Sequence, residues 1–173
     1  MKRVILIGYM GAGKTIIGKV LARTMGLGFY DLDDYIENRV HQKIPDIFAQ
    51  KGEDGFRDIE RRMLHEVMEF EDVVVSCGGG TPCFFDNIDY MNTRGETVFL
   101  DASPRVLNEH LRMGKTVRPL IQGKTADELI AYIEESLQRR LPHYQKAKHT
   151  LAIETIHTQE QIQNYVNQII GLI

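Results

Sequence analysis

Eight residues near the start of the chain, GYMGAGKT at positions 8–15, combine spaced glycines with a lysine and a hydroxyl side chain. They fit the pattern G-x-x-x-x-G-K-[ST], whose chemistry is phosphate binding. Glycines let the backbone curl so that successive N–H groups aim at phosphate oxygens, and a helix starting behind them adds the positive end of its dipole. Lys14 is spaced to reach β- and γ-phosphates, and the Thr15 hydroxyl to bind Mg2+. The flanks agree. RVILI at 3–7 reads as a buried strand, and Ile17, Val20, Leu21 and Met25 recur close to helical spacing. A glycine-rich turn that merely joins strand to helix does not account for all of these constraints together, so the stretch reads as a nucleoside-triphosphate site.

Further groupings could work beside it. Phe29 and Tyr30 open a short strand that runs into Asp31, Leu32, Asp33 and Asp34. Ligands of an open α/β sheet sit beyond the carboxyl ends of its strands, so these acids are well placed. Asp31 and Asp33 can present one carboxylate to a magnesium-bound water and one to an acceptor hydroxyl; Asp31, with Thr15, falls on the metal side. Asp33 or Asp34 is expected to cap the following helix. Arg57 follows Gly52 and Gly55 and is expected in the first turn of a helix, where a cation opposes the dipole. That misfit points to an anionic ligand, and Glu60, three residues on, can pair with it. Gly78, Gly79 and Gly80 close a strand over 72–77. One glycine is usually enough for a tight turn, whereas three allow close backbone approach to a small molecule.

The segment 112–124 holds Arg112, Lys115, Arg118 and Lys124 and no acid, with Gly114 and Gly123 near its ends. Long irregular segments in compact domains are often lids, and basic side chains suit one that closes over polyphosphate. Of the remaining elements, helices are expected over 34–40, from Pro45, from Gly52 to about Phe70, and over 84–93. Ser103-Pro104 starts a helix to about Met113, and Thr125 with Glu128 forms a capping box for one to about Arg140, followed by a turn at 142–144. Strands over 96–101 and 149–154 and a closing helix capped at Thr158 to about Ile170 complete an alternation that gives a five-stranded parallel sheet with helices on both faces, a three-layer α/β fold.

At 173 residues, with 43% hydrophobic and 26% charged side chains, a single domain spanning 1–173 is expected. A net charge of −3 gives no bias toward nucleic acid. No apolar run is long enough to span a membrane, and no signal-peptide hydrophobic region opens the chain, so a cytoplasmic protein, a monomer, is expected. Cys77 and Cys83 lack the spacing of a zinc or dithiol motif, and the six histidines form no metal-binding cluster. A GTPase would need N-K-x-D, which is absent. A motor or transporter ATPase would need a Walker-B Asp after an apolar strand, often with a catalytic Glu; Asp101 superficially supplies the Asp, but Ala102 follows it, and the chain is short for such a machine. A small-molecule kinase needs a phosphate loop, an acceptor pocket and a lid, and all three are represented. A non-catalytic nucleotide-binding module is the remaining class.

The order and spacing of these segments resemble the shikimate kinases, members of the nucleoside-monophosphate-kinase-like group of P-loop NTPase-type folds. The resemblance rests on 8–15, on FYDLD at 29–33, on GEDGFR at 52–57 with Glu60, on Gly78–Gly80, on RPL at 118–120 and on RLPHY at 140–144. It covers about residues 3–155. Leu32 and Ile16 stand where that family often has a small polar and a second hydroxyl residue; neither replaces a ligand. The resemblance implies strand order 2-3-1-4-5 and transfer of the γ-phosphoryl group of ATP to the 3-hydroxyl of shikimate, with Mg2+. It implies that Gly11, Ala12, Gly13, Lys14, Thr15 and Ile16 hold the nucleotide, with Arg118 on its phosphates and Arg112 near adenine. Lys14, Asp33 and Arg118 would serve the chemistry. Asp33 would bind the acceptor hydroxyls, Arg57 and Arg140 the carboxylate, and Gly79 would approach the ring. A kinase of the same group acting on gluconate or a nucleoside monophosphate is the second reading.

Overall fold

Apolar, β-branched runs at 3–7 and 73–75 can be satisfied only where both sheet faces are covered, and that is where they lie. The computed structural model describes residues 1–114 and 121–173; the expected lid residue Arg118 and its neighbours at 115–120 fall outside them. Strands β1 (Arg3–Ile7), β2 (Gly28–Asp31), β3 (Val73–Ser76), β4 (Glu96–Ala102) and β5 (His149–Ile153) form one sheet in the order β2-β3-β1-β4-β5. Every pairing is parallel. Helices α1 (Lys14–Met25), α2 (Leu32–Val40), α3 (Ile44–Val67), α4 (Asn87–Arg94), α5 (Pro104–Met113), α6 (Ala126–Tyr144) and α7 (Gln159–Leu172) alternate with them. In β1, Val4 to Ile7 are no more than 1% exposed, so the first strand is the middle of the core. No helix among the described residues is long and apolar enough to cross a membrane.

The register decides where the chemistry can be. Leu6 is level with Ser76, and Ser76 with Asp31, so β1, β3 and β2 end side by side. The phosphate loop, the glycine triplet and the acids of 31–34 therefore leave the sheet along one edge, as ligand sites of open α/β sheets do.

Several boundaries differ from the sequence expectation. The cap of α2 is Asp31, not Asp33 or Asp34: its Oδ1 accepts from the N–H groups of Asp33 at 3.0 Å and Asp34 at 3.3 Å. Leu32 is fully buried, and turning that side chain into the core starts the helix one residue after the strand. The two helices expected around Gly52 run on as α3, with a break at Gly52, whose φ of 68° and ψ of −177° are not helical. The helix expected from Phe84 begins at Asn87, after a 3-10 turn at Thr81–Cys83. The turn expected at 142–144 is instead the last turn of α6, with Pro142 inside it. A proline this close to a helix end forfeits one backbone bond. Tyr144, fully buried with its hydroxyl donating to the Gly79 carbonyl at 2.5 Å, anchors that turn.

Helix α1 buries Ile17, Gly18, Leu21 and Ala22 against the sheet, with Val20 and Met25 half-buried and packed against the same core. A Cβ on Gly18 would stand 2.7 Å from a ring carbon of Phe29 and 3.2 Å from Leu6. Alanine gains about 1 kcal/mol of helix propensity, whereas overpacking typically costs about 1–3 kcal/mol. Packing should win: Gly18→Ala is expected to lower the urea midpoint, and a midpoint at or above the parent's would mean that Phe29 yields without cost.

Candidate functional site

A cavity of about 920 Å3 opens along this edge. Its floor is the phosphate loop. Gly13, the residue before α1, has φ 98°, which favours glycine, and a Cβ there would press on the end of the Ile156 side chain at 2.6 Å. The Lys14 ammonium donates to the carbonyls of Gly8 at 2.7 Å and Tyr9 at 2.9 Å. It lies across the loop, within reach of anything the loop holds. Gly11, Gly13, Thr15 and Ile16 face the cavity; Ala12 is buried beneath it.

The acids form the next wall. Asp31 divides its carboxylate: Oδ1 caps α2, and Oδ2 accepts from the Thr15 hydroxyl at 3.1 Å. Asp33 lies beside Gly78, whose Cβ, if present, would be 3.1 Å from Asp33 Oδ1. Burial pushes the Asp33 carboxyl up to about 6, the charges of Asp31 and Glu60 add to the rise, and Lys14 opposes it.

The glycine triplet receives a different functional group at each residue. Gly78 meets Asp33. Gly79 meets Arg140, whose Nη1 would be 3.0 Å from a Cβ, and Gly80 meets Arg57, whose Nη2 would be 2.6 Å away. None of the three has positive φ, so close approach, not turn geometry, is what disfavours a side chain there. Arg57 lies in the second turn after the Gly52 break, not the first. Its charge is met by Glu60 at 3.0 Å and Glu53 at 3.5 Å, and its guanidinium sits 4.1 Å over the Phe84 ring. Glu60, 1% exposed, also accepts from the Thr81 hydroxyl at 2.8 Å, and Asn87 donates to the Thr81 carbonyl at 2.9 Å. Arg140 has no carboxylate within ion-pair distance among the described residues; the ring of Tyr9 lies 5.4 Å from its guanidinium.

Structure thus brings Lys14, Thr15, Asp31, Asp33, Gly79, Arg57 and Arg140 to one neighbourhood. It does not bring Arg112, which is exposed on the last turn of α5 while His110, Met113 and Gly114 take the cavity wall there. Sequence reasoning missed Tyr9, Thr81, Asn87, Tyr144 and His110. Their roles come from partners that are remote in the chain or, for Asn87 and Thr81, from a turn whose shape no motif announces.

A phosphate loop, two acids and two arginines around a glycine triplet, on a sheet of this order, define a small-molecule kinase. Residues 10–170 match the shikimate kinase family. The chain is 56% identical to the shikimate kinase of Phocaeicola vulgatus over 98% of its own length and 97% of the relative's. Its structure is similar to a crystal structure of shikimate kinase from Bacteroides thetaiotaomicron, with a TM-score of 0.96 and 47% identity over 99% of this chain and 97% of that one. The shikimate kinase of Acinetobacter baumannii in complex with shikimate gives a TM-score of 0.84 and 31% identity over 99% and 92%. The chain belongs to the shikimate kinase family and is an ATP-using kinase.

The raised Asp33 carboxyl ties the stability of the fold to pH. Its carboxyl binds a proton more tightly in the folded protein (about 6) than at its ordinary value of 3.8, so ionising it costs stability. The cost is absent below about pH 4 and complete above about pH 6. Asp33→Asn should therefore raise the urea midpoint at pH 8 and leave it near the parent's at pH 4. An equal gain at both pH values would show that the penalty is not that of a charge.

Proposed function

We propose that this chain transfers the γ-phosphoryl group of ATP to the 3-hydroxyl of shikimate and that the residues around the glycine triplet hold the acceptor. The observation that carries the reading is the convergence of Asp33, Arg140 and Arg57 on Gly78, Gly79 and Gly80 beside the phosphate loop. An acceptor with ring hydroxyls and one carboxylate needs an acid for the first and cations for the second. Arg140, lacking a carboxylate of its own among the described residues, is suited to a ligand's, and guanidinium geometry allows paired hydrogen bonds. A nucleotide acceptor would need a base-binding pocket on this side, and gluconate has no ring for Gly79 to approach.

In this reading Gly11, Ala12, Gly13, Lys14, Thr15 and Ile16 hold the nucleotide. The hydroxyl oxygen of the acceptor forms a bond to the γ-phosphorus as the bond to the β–γ bridging oxygen breaks. Asp33 orients that hydroxyl and takes its proton; a carboxylate titrating near 6 is ionised at neutral pH and a stronger base than an ordinary aspartate. Lys14 and Arg118 offset charge on the phosphoryl group. Thr15 and Asp31 fit Mg2+: they are two hard oxygen donors 3.1 Å apart, and among the described residues no three acids, cysteines or histidines are arranged to hold a metal ion by themselves. A magnesium site characteristically has few protein ligands and fills its remaining positions with water and phosphate. Bound there, Mg2+ would neutralise phosphate charge and order the phosphates. Residues 1–173 act as one kinase unit, with 112–124 as its lid and Arg112 at the adenine end. The protein works as a cytoplasmic monomer.

ADP release should require shikimate, disappear with EDTA and be absent with gluconate, AMP or CMP; release with one of these and none with shikimate would sink the proposal. In the same assay, Arg118→Ala should lower kcat by roughly 10³-fold, as removal of an arginine finger does. On the acceptor side, one charge-assisted contact contributes roughly 1.5–3 kcal/mol, so Arg140→Lys should lower kcat/KM for shikimate by about 10- to 100-fold. Gly80→Ala, which drives a methyl into Arg57, should do likewise while sparing the ATP KM. If either variant weakens ATP and leaves the shikimate KM alone, the arginines belong to the phosphates.

A further inference from the structure

One imidazole joins separate segments at the nucleotide end of the cavity. His110 lies in α5, and its Nδ1 is 2.7 Å from the carbonyl oxygen of Gly11 in the phosphate loop. Its Nε2 is 3.0 Å from the backbone nitrogen of Ile156, in the segment between β5 and α7. A backbone N–H can only donate, so Nε2 is the lone-pair nitrogen. Nδ1 then carries the proton and donates it to Gly11. The two partners fix the tautomer between them.

The consequence for the loop is specific. The Gly11–Ala12 peptide is held at both polar atoms, its carbonyl by His110 and its N–H by the Tyr9 carbonyl at 3.1 Å. A peptide plane gripped in this way cannot swing, and its carbonyl is engaged by a donor instead of facing phosphate oxygens. Helix α5 is close enough to enforce this, because Leu111 would stand 3.0 Å from a Cβ on Gly11. On its other side the imidazole sets the place of Ile156, whose side chain lies against Gly13 and on the cavity wall. The loop and the 154–158 segment therefore share a single spacer, two residues before Arg112.

We propose that His110 is a positioning residue for the nucleotide, setting the width of the cavity between the phosphate loop and Ile156; this rests on the reading of the loop as the ATP site. It acts through Gly11 and Ile156 and touches no reacting atom.

Substitutions separate the two bonds. His110→Asn keeps a donor near the place of Nδ1, His110→Gln keeps an acceptor near the place of Nε2, and His110→Leu keeps volume without either. The leucine variant should raise the ATP KM by about 10-fold, the effect of losing two neutral hydrogen bonds. The shikimate KM should stay within about twofold, and the asparagine and glutamine variants should fall between leucine and the parent. Nitrogen-15 NMR of the unmodified protein should show His110 protonated on Nδ1 alone. An ATP KM left unchanged in a folded leucine variant, or a rise of both KM values together, overturns the proposal. If that variant does not fold, the NMR spectrum decides, and protonation on Nε2 overturns it. Absence of ATP turnover in the unmodified protein overturns the kinase reading and this proposal with it, whereas an unchanged ATP KM in the variant overturns this proposal alone.

Discussion

Any side chain at Gly78, Gly79 or Gly80, after the end of β3, would crowd the groups that face the backbone there, and the site follows from that constraint. At Gly80 a single methyl carbon would overlap the Arg57 guanidinium, and at Gly79 it would press on Arg140. These contacts let two cations approach one stretch of backbone. Backbone alone does not hold cations there, so each guanidinium has its own support. Arg57 rests on the Phe84 ring and on Glu60, itself fixed by Thr81 and through it by Asn87. Arg140 lies over Tyr9 on a helix whose last turn is tied back to Gly79 through Tyr144. The triplet is thus both the reason the arginines can meet and the surface against which their positions are set.

Charge on the acid side works against folding. Asp33 is drawn into partial burial beside Asp31, and the two carboxylates repel. A fold optimised only for stability would replace one of them. The register of β2 with β3 keeps both at the same edge, because Asp31 is level with Ser76 and Asp33 follows within the first turn of α2. Their placement beside Lys14 and Thr15 puts an energetically costly arrangement on the wall of the cavity, and such arrangements cluster at functional sites.

Much of this was legible in the chain. The phosphate loop is contiguous and each of its constraints is local, so pattern and placement agree without adjustment. Strands β1 and β3 were clear for the same reason, being unbroken apolar runs. What escaped is non-local. Asp31 rather than Asp33 caps α2 because Leu32 must reach the core, and a single sequence does not reveal which of three acids stands one residue before a buried leucine. Arg57 looked like a misfit at a helix start, yet it lies a turn further in with Glu53 and Glu60 around it. Pro142 signalled a turn by its chemistry; a buried tyrosine two residues on overrode it. The family resemblance named the residues proposed for the acceptor, but only the fold pairs each with its own glycine.

The strand order has a bearing on how the protein is made. Strand β1 is synthesised first and ends in the middle of the sheet, and neither neighbour is local: β3 begins at Val73 and β4 at Glu96. A growing chain therefore carries RVILI, a core strand with four apolar residues, without a sheet partner through the emergence of α1, β2, α2 and α3. Such long-range parallel pairing is slow, and an unpaired apolar strand is an invitation to other chains. During that interval α1, packing through Ile17 and Leu21, can already cover one face of the strand. The helix that opens with Lys14 behind the phosphate loop is thus also the nearest shelter for the nascent core.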